Sequence, residues 1–102
     1  MPHTIKILKQ HYKRVRNGTK TFENRHNDRA YQRGDTVVLQ AFDDKTGKHV
    51  NDKENWPDLK YGIGDVYPID DRRVVFALLL LGSDVWRKNY EEAANASASS
   101  LR

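Results

Sequence analysis

Cationic, carboxylate and amide side chains are concentrated between positions 20 and 31 of this 102-residue chain. Arginine offers a planar fork that suits phosphates or the edges of bases, whereas lysine is a mobile cation. Asparagine and aspartate can hydrogen-bond amide and amino groups, and a tyrosine ring can stack on a base. These residue types together are suited to binding phosphates and the edges of bases, so the segment is a candidate binding site. Its members in this segment are Lys20, Glu23, Arg25, Asn27, Asp28, Arg29 and Tyr31.

A basic helix is expected next to this segment. Leu8, Tyr12 and Val15 recur at the spacing of one helical face and predict a short amphipathic helix over residues 9–17. Gly18 follows directly, and glycine is the usual residue where a helix ends in a left-handed conformation. The other side of this helix carries Lys9, Lys13 and Arg16, which are candidates for contacts to a polyanion such as a nucleic-acid backbone.

The charge of the chain is divided unevenly between its two parts. Residues 1–40 hold nine Lys and Arg against three Asp and Glu, a net charge of +6. Residues 41–102 hold nine basic and eleven acidic side chains, a net charge of −2. A basic half of this kind is typical of a surface that faces a polyanion, although a solvated basic helix gives the same asymmetry.

The composition limits the class of protein. The longest unbroken apolar run, Val74–Leu81, is far shorter than the ~20 residues that cross a bilayer. There is no cysteine, which excludes disulfides, thiolate zinc sites and cysteine nucleophiles. The four histidines have no metal-ligand spacing, and the start of the chain does not read as a signal peptide. We therefore expect a cytoplasmic, monomeric protein that has no metal, cofactor or membrane partner.

The spacing of apolar residues predicts a β-rich fold around the helix. Period-two alternation after Thr19 places Glu23 and Arg25 on the same face of a strand. We predict an α+β fold, a small, partly closed β-barrel of about five to six strands with one early helix covering the barrel. The predicted strands lie at 3–8, 19–25, 36–42, 61–69 and 74–81. This domain would occupy residues 1–82, followed by a C-terminal helix or disordered tail over residues 83–102.

Three stretches of the chain form a recognisable pattern: His3–Lys9, Gly18–Arg29 (GTKTFENRHNDR) and Tyr31–Asp35. This pattern resembles the ASCH domains, a branch of the PUA-like superfamily, over about residues 3–81. The similarity is greatest to a group of short bacterial and phage ASCH-like proteins of unknown function, from which Asn24 and His26 depart. The resemblance implies a PUA-like barrel in which the strand and loop after the helix line a cleft for RNA or a modified nucleotide.

An enzymatic alternative follows from the same resemblance. A few small ASCH proteins are amidohydrolases that deacylate N4-acetylcytidine with a lysine, a threonine three residues later and a downstream glutamate. Lys20 matches the lysine, Glu23 stands at the threonine position, and no downstream glutamate aligns. Lys20 and Glu23 are therefore the candidate catalytic residues of an amidohydrolase, and a binding module is favoured over an enzyme.

A third alternative is a small phage-type protein that acts by binding a host protein. It rests on Trp86 and Tyr90, which lie at helical spacing near the end of the chain. Such a pair either docks the last helix on the barrel or contacts a partner.

Overall fold

The computed structural model describes residues 1–81 and residue 91, and its main feature is one strongly curled sheet. The sheet order is β1-β3-β5-β6-β2, with the two-residue strand β4 beside β3. β1 runs parallel to β3, and all the other pairs are antiparallel. The elements are β1 (Pro2–Leu8), α1 (Lys9–Arg16), β2 (Phe22–His26), β3 (Thr36–Asp43), β4 (Lys48–His49), β5 (Leu59–Pro68) and β6 (Arg73–Leu80). The predicted barrel-like α+β fold is confirmed at this level.

The core lies on the inner face of the curled sheet. Ile5 and Ile7 alternate with exposed residues along β1 and are both buried, as the period of two predicts. Leu39 on β3 is fully buried beside Ile5. α1 packs against β1 and β3 and buries Tyr12 and Val15, the two helical residues of the predicted apolar face. The helix therefore covers part of the core, while its N-terminal end leads directly out of β1.

Apart from shifts of one or two residues at the ends of elements, the observed elements differ from the predicted ones in two places. β2 begins at Phe22 rather than Thr19 because the end of α1 takes up the intervening residues. Gly18 has a φ of 84°, and the backbone N–H of Lys20 still donates to the carbonyl of Arg14 at 3.0 Å. The two-residue strand β4 has no signal in the sequence, because a pair of polar residues cannot show a period.

Strand β6 lies between β5 and β2, in agreement with the interior position that its apolar sequence predicts. Val74, Phe76 and Leu78 are buried on its inner face. The predicted C-terminal helix or tail, residues 83–102, lies outside the described residues apart from position 91. Within the described part of the chain, no helix combines the length and apolar character needed to cross a membrane.

Candidate functional site

The two terminal strands of the sheet, β1 and β2, face each other across an open gap, which we call the seam. Among the strand pairs of residues 1–81, none joins β1 to β2. Two arginine side chains cross the gap instead. Arg25 donates a hydrogen bond to the carbonyl oxygen of Lys6, and Arg29 donates to that of Thr4 at 3.0 Å. Side chains rather than backbone pairs therefore hold the seam together.

A groove follows the seam, and we call it the seam groove. The part beside α1 has a volume of about 410 Å³, and we call it the deeper part after the buried Glu23 that it contains. The adjoining part towards the loop after β2, about 320 Å³, we call the shallower part. Both volumes fall within the usual range for small-molecule sites. The side chains of Lys6, Asn24, Arg25 and Arg73 line both parts. The deeper part is lined in addition by Ile7, Leu8, His11, Lys20, Glu23 and Phe42.

A buried carboxylate organises the deeper part of the groove. Glu23 is only 3% exposed, and its pairing with Phe76 places it on the inner face of the sheet. Its carboxylate accepts hydrogen bonds from Lys20 Nζ and Arg25 Nε, each at 2.9 Å. We call these three residues the Glu23 cluster. The predicted common face of Glu23 and Arg25 is confirmed, and the cluster makes the ion-pair network that burial of a carboxylate requires.

The Glu23 cluster bears directly on the candidate catalytic residues. A lysine that acts as a nucleophile must present a free amine to its substrate. Lys20 is largely buried and donates to the carboxylate of Glu23 instead. The two candidate residues therefore contact each other, and a reaction at Lys20 would require it to leave this ion pair.

The shallower part of the groove is lined by Asp28 and Arg29, which are exposed, and by Tyr31. Tyr31 itself is 5% exposed, because its ring packs between the rings of His3 and Phe76 at centroid distances of 4.8 and 4.9 Å. This burial raises the pKa of the Tyr31 hydroxyl. Tyr31 thus packs in the core rather than presenting an open face for a base. Asn27 is exposed and is not among the groove residues.

The basic side chains of α1 lie away from the seam groove. The ammonium groups of Lys9 and Lys13 lie 5.0 and 5.5 Å from the centroid of the Trp56 ring, within the range of cation–π contacts. Arg16 donates to the carbonyl of Asn55 at 2.8 Å. This face of the helix therefore packs on the segment that precedes β5, and the structure does not bring the three predicted helix cations to the groove.

Nine groove residues lie outside the set that the sequence predicts. Three are aliphatic, and the other six are Lys6, His11, Asn24, His26, Phe42 and Arg73. Lys6 and Phe42 come from β1 and β3, and the Lys6 ammonium lies 4.4 Å from the centroid of the Phe42 ring. Arg73 reaches the groove because it pairs with His26 across β6 and β2. For Lys6 the sequence does contain a signal, because its alternation with Ile5 and Ile7 indicates that it lies on the face of β1 opposite to the core. For Arg73 no local signal exists, since its position depends on a pairing between distant segments.

His11 is the one groove side chain, among the described residues, with a buried polar atom that has no hydrogen-bond partner, its ring nitrogen Nδ1. Leaving a polar atom buried and unpaired costs roughly 1–3 kcal/mol. We therefore expect His11→Phe or His11→Leu to raise the free energy of unfolding by about 1 kcal/mol, measured by urea denaturation. His26→Phe, at an exposed position on β2, should change it by less than about 0.5 kcal/mol. A loss of stability in both His11 variants would show that Nδ1 has a partner, such as an ordered water.

The described residues contain no group of three or more histidine, aspartate or glutamate side chains arranged to hold a metal ion. The charged side chains that line the deeper part of the seam groove are cations and one buried carboxylate. In the shallower part, Asp28 adds a second carboxylate.

The fold and groove define a small, β-rich domain that has one short helix and a cationic groove along an open sheet seam. The chain belongs to the family described as Domain of unknown function (DUF3850), whose pattern matches residues 2–76. The matched region contains every residue that lines the seam groove. No curated protein matches the chain.

Proposed function

We propose that the seam groove binds RNA or a nucleotide. The observation that supports this proposal is the charge of the deeper part of the groove. Four cationic side chains and one carboxylate, that of Glu23, line this part in the described region. Because Glu23 already accepts from both Lys20 and Arg25, the groove keeps an excess of positive charge that suits a phosphate-bearing ligand.

One wall of the groove has the apolar character that a base requires. Ile7, Leu8 and the half-buried ring of Phe42 line it. Stacking of a base on an aromatic side chain is worth roughly 1–3 kcal/mol and needs no particular base. Asn24 is exposed on β2 beside this wall, and its amide offers both a donor and an acceptor to a base edge. Phosphate and base thus have complementary surfaces within one groove.

The proposal includes membership of the ASCH domains within the PUA-like superfamily. The resemblance implies a cleft lined by the strand and loop that follow the first helix. β2 and the loop after it supply Asn24, Arg25, Asp28 and Arg29 to the seam groove. This agreement between the motif and the groove supports the assignment.

Titration with a labelled single-stranded RNA, followed by fluorescence anisotropy at 50 and 200 mM salt, tests the proposed function. With about three phosphate contacts, we expect the affinity to fall roughly 20-fold between these salt concentrations. Asn24→Glu adds a negative charge to the groove and should weaken binding at least 10-fold. Asn51→Glu makes the same change of net charge on an exposed loop and should leave binding within about two-fold. Absence of binding at 50 mM salt, or equal losses in the two variants, would contradict the proposal.

The same protein can be incubated with N4-acetylcytidine to separate binding from catalysis. We expect no release of acetate, because Lys20 is held in the Glu23 cluster. Turnover that disappears in a folded Lys20→Ala variant would instead assign the chain to the amidohydrolases.

A further inference from the structure

The cations of the seam groove fall into two groups according to their partners. Arg25 donates both to Glu23 and to the carbonyl of Lys6, and Lys20 donates to Glu23. Arg29 donates to the carbonyl of Thr4. These three cations already hold the buried carboxylate and the open seam. A ligand that recruited one of them would first have to displace an existing hydrogen bond.

Lys6 and Arg73 form the second group. Within residues 1–81 and residue 91, neither side chain makes a hydrogen bond or an ion pair, and the described contact of the Lys6 ammonium is the ring of Phe42. Both side chains are exposed and line both parts of the groove. Lys6 stands on the β1 side of the seam, and Arg73, paired with His26, stands on the β2 side.

We propose that Lys6 and Arg73 form the phosphate-binding pair of the seam groove and take a nucleotide phosphate between them. This inference rests on the proposed function, since it assigns the part of the groove that holds the phosphate. Arginine supplies a planar fork that can bind two phosphate oxygens, and lysine supplies a point charge from the other side. Binding here replaces water on two exposed cations, draws the Lys6 ammonium away from the ring of Phe42 and leaves every hydrogen bond across the seam intact.

The assignment reverses the roles that the sequence motif gives to its arginines. Arg25 and Arg29 act as positioning residues, because they hold β1 and β2 at the distance that creates the groove. The apolar wall at Phe42 lies next to Lys6, which places a base and its phosphate in adjacent positions. The ligand class is therefore a nucleotide whose phosphate enters between the two strands and whose base lies towards β3.

Isothermal titration calorimetry with adenosine, adenosine 5′-monophosphate and a dinucleoside phosphate tests this inference. The first two compounds measure the contribution of a phosphate, and the third compares a phosphodiester with a phosphomonoester. We expect wild-type protein to bind the monophosphate at least 10-fold more tightly than adenosine. Lys6→Gln and Arg73→Gln should each weaken binding of the monophosphate about 10-fold and change that of adenosine less than two-fold. A preference for the dinucleoside phosphate would identify an RNA phosphodiester as the source of the bound phosphate.

Matched controls come from exposed cations that do not line the groove. Lys60→Gln and Arg72→Gln remove the same charges and should leave monophosphate binding within two-fold of wild type. Lys6→Arg should retain most of the affinity, and circular dichroism reports whether each variant is folded. Normal monophosphate binding by folded Lys6→Gln and Arg73→Gln would overturn the inference while leaving the proposed function intact. Failure of wild-type protein to bind any nucleotide or RNA would instead remove the proposed function.

Discussion

Replacement of Glu23 by alanine is expected to lower the free energy of unfolding by about 3 kcal/mol. Removal of one partner of a buried ion pair costs 3–5 kcal/mol, because it leaves an uncompensated charge in the interior. Here two cations would lose their carboxylate partner, and their side chains are 12% exposed in Lys20 and 26% exposed in Arg25. Partial access to water favours the lower end of the range. For a domain of this size, the melting temperature should fall by roughly 15 °C.

Urea denaturation of the full chain measures this effect, and a second glutamate provides the control. Glu54 is exposed, and Glu54→Ala should change the free energy of unfolding by less than about 0.5 kcal/mol. Lys20→Met should cost less in the Glu23→Ala background than in the wild-type protein, because the pair is already broken there. A loss below 1 kcal/mol in Glu23→Ala would mean that water, rather than Lys20 and Arg25, compensates the charge of the Glu23 carboxylate in the wild-type protein.

The local parts of the fold follow from short-range patterns. Two signals are sufficient to locate α1 and its end: the helical spacing of Tyr12 and Val15, and the position of Gly18. A period of two is sufficient to place Glu23 and Arg25 together on one face of β2, which the structure shows to be the inner face. These predictions succeed because each depends on residues within about ten positions of one another, where the geometry of a helix or strand fixes the spacing.

The groove could not be predicted in the same way, because distant segments create it. β2 pairs with β6 some fifty residues later, and this pairing brings Arg73 to the seam. Arg25 and Arg29 reach β1 only once the sheet has curled. Because their acceptors are backbone carbonyls, the pattern of side chains in the sequence does not indicate these hydrogen bonds. The sequence therefore indicates the cations that β2 carries, whereas the groove cations that make no hydrogen bond or ion pair within the described residues come from β1 and β6.

A second buried carboxylate, Asp35, should make the stability of the protein depend on acid pH. It accepts hydrogen bonds from His3 Nε2 at 2.8 Å, from the amino group of Met1 at 2.9 Å and from the backbone N–H of Gln32 at 3.1 Å. Burial alone would raise the pKa of Asp35, but the hydrogen bonds, first that of His3, outweigh burial and the pKa is lowered. The folded protein therefore favours ionised Asp35 more strongly than the unfolded chain does.

The sign of the pH dependence follows from this lowered pKa. The stabilisation by Asp35 is fully present above the pKa of an unfolded aspartate, about 3.9, and is lost as the pH falls through the lower pKa of the folded state. Asp35→Asn abolishes the charge and should cost about 2–3 kcal/mol at pH 6, because the buried donor of His3 loses its carboxylate acceptor. Urea denaturation between pH 3 and pH 7 should show the difference between wild type and variant shrinking below about pH 4.

An exposed aspartate provides the matched control for Asp35. Asp71→Asn, in the turn before β6, removes the same charge without removing a buried acceptor. Its free energy of unfolding should stay within about 0.5 kcal/mol of wild type across the whole pH range. A gap between wild type and Asp35→Asn that stays constant down to pH 3 would show that the cost arises from the altered shape of the acceptor. A gap that narrows with acid would assign the cost to the ionised carboxylate that anchors His3, and with it the start of β1 at the edge of the seam.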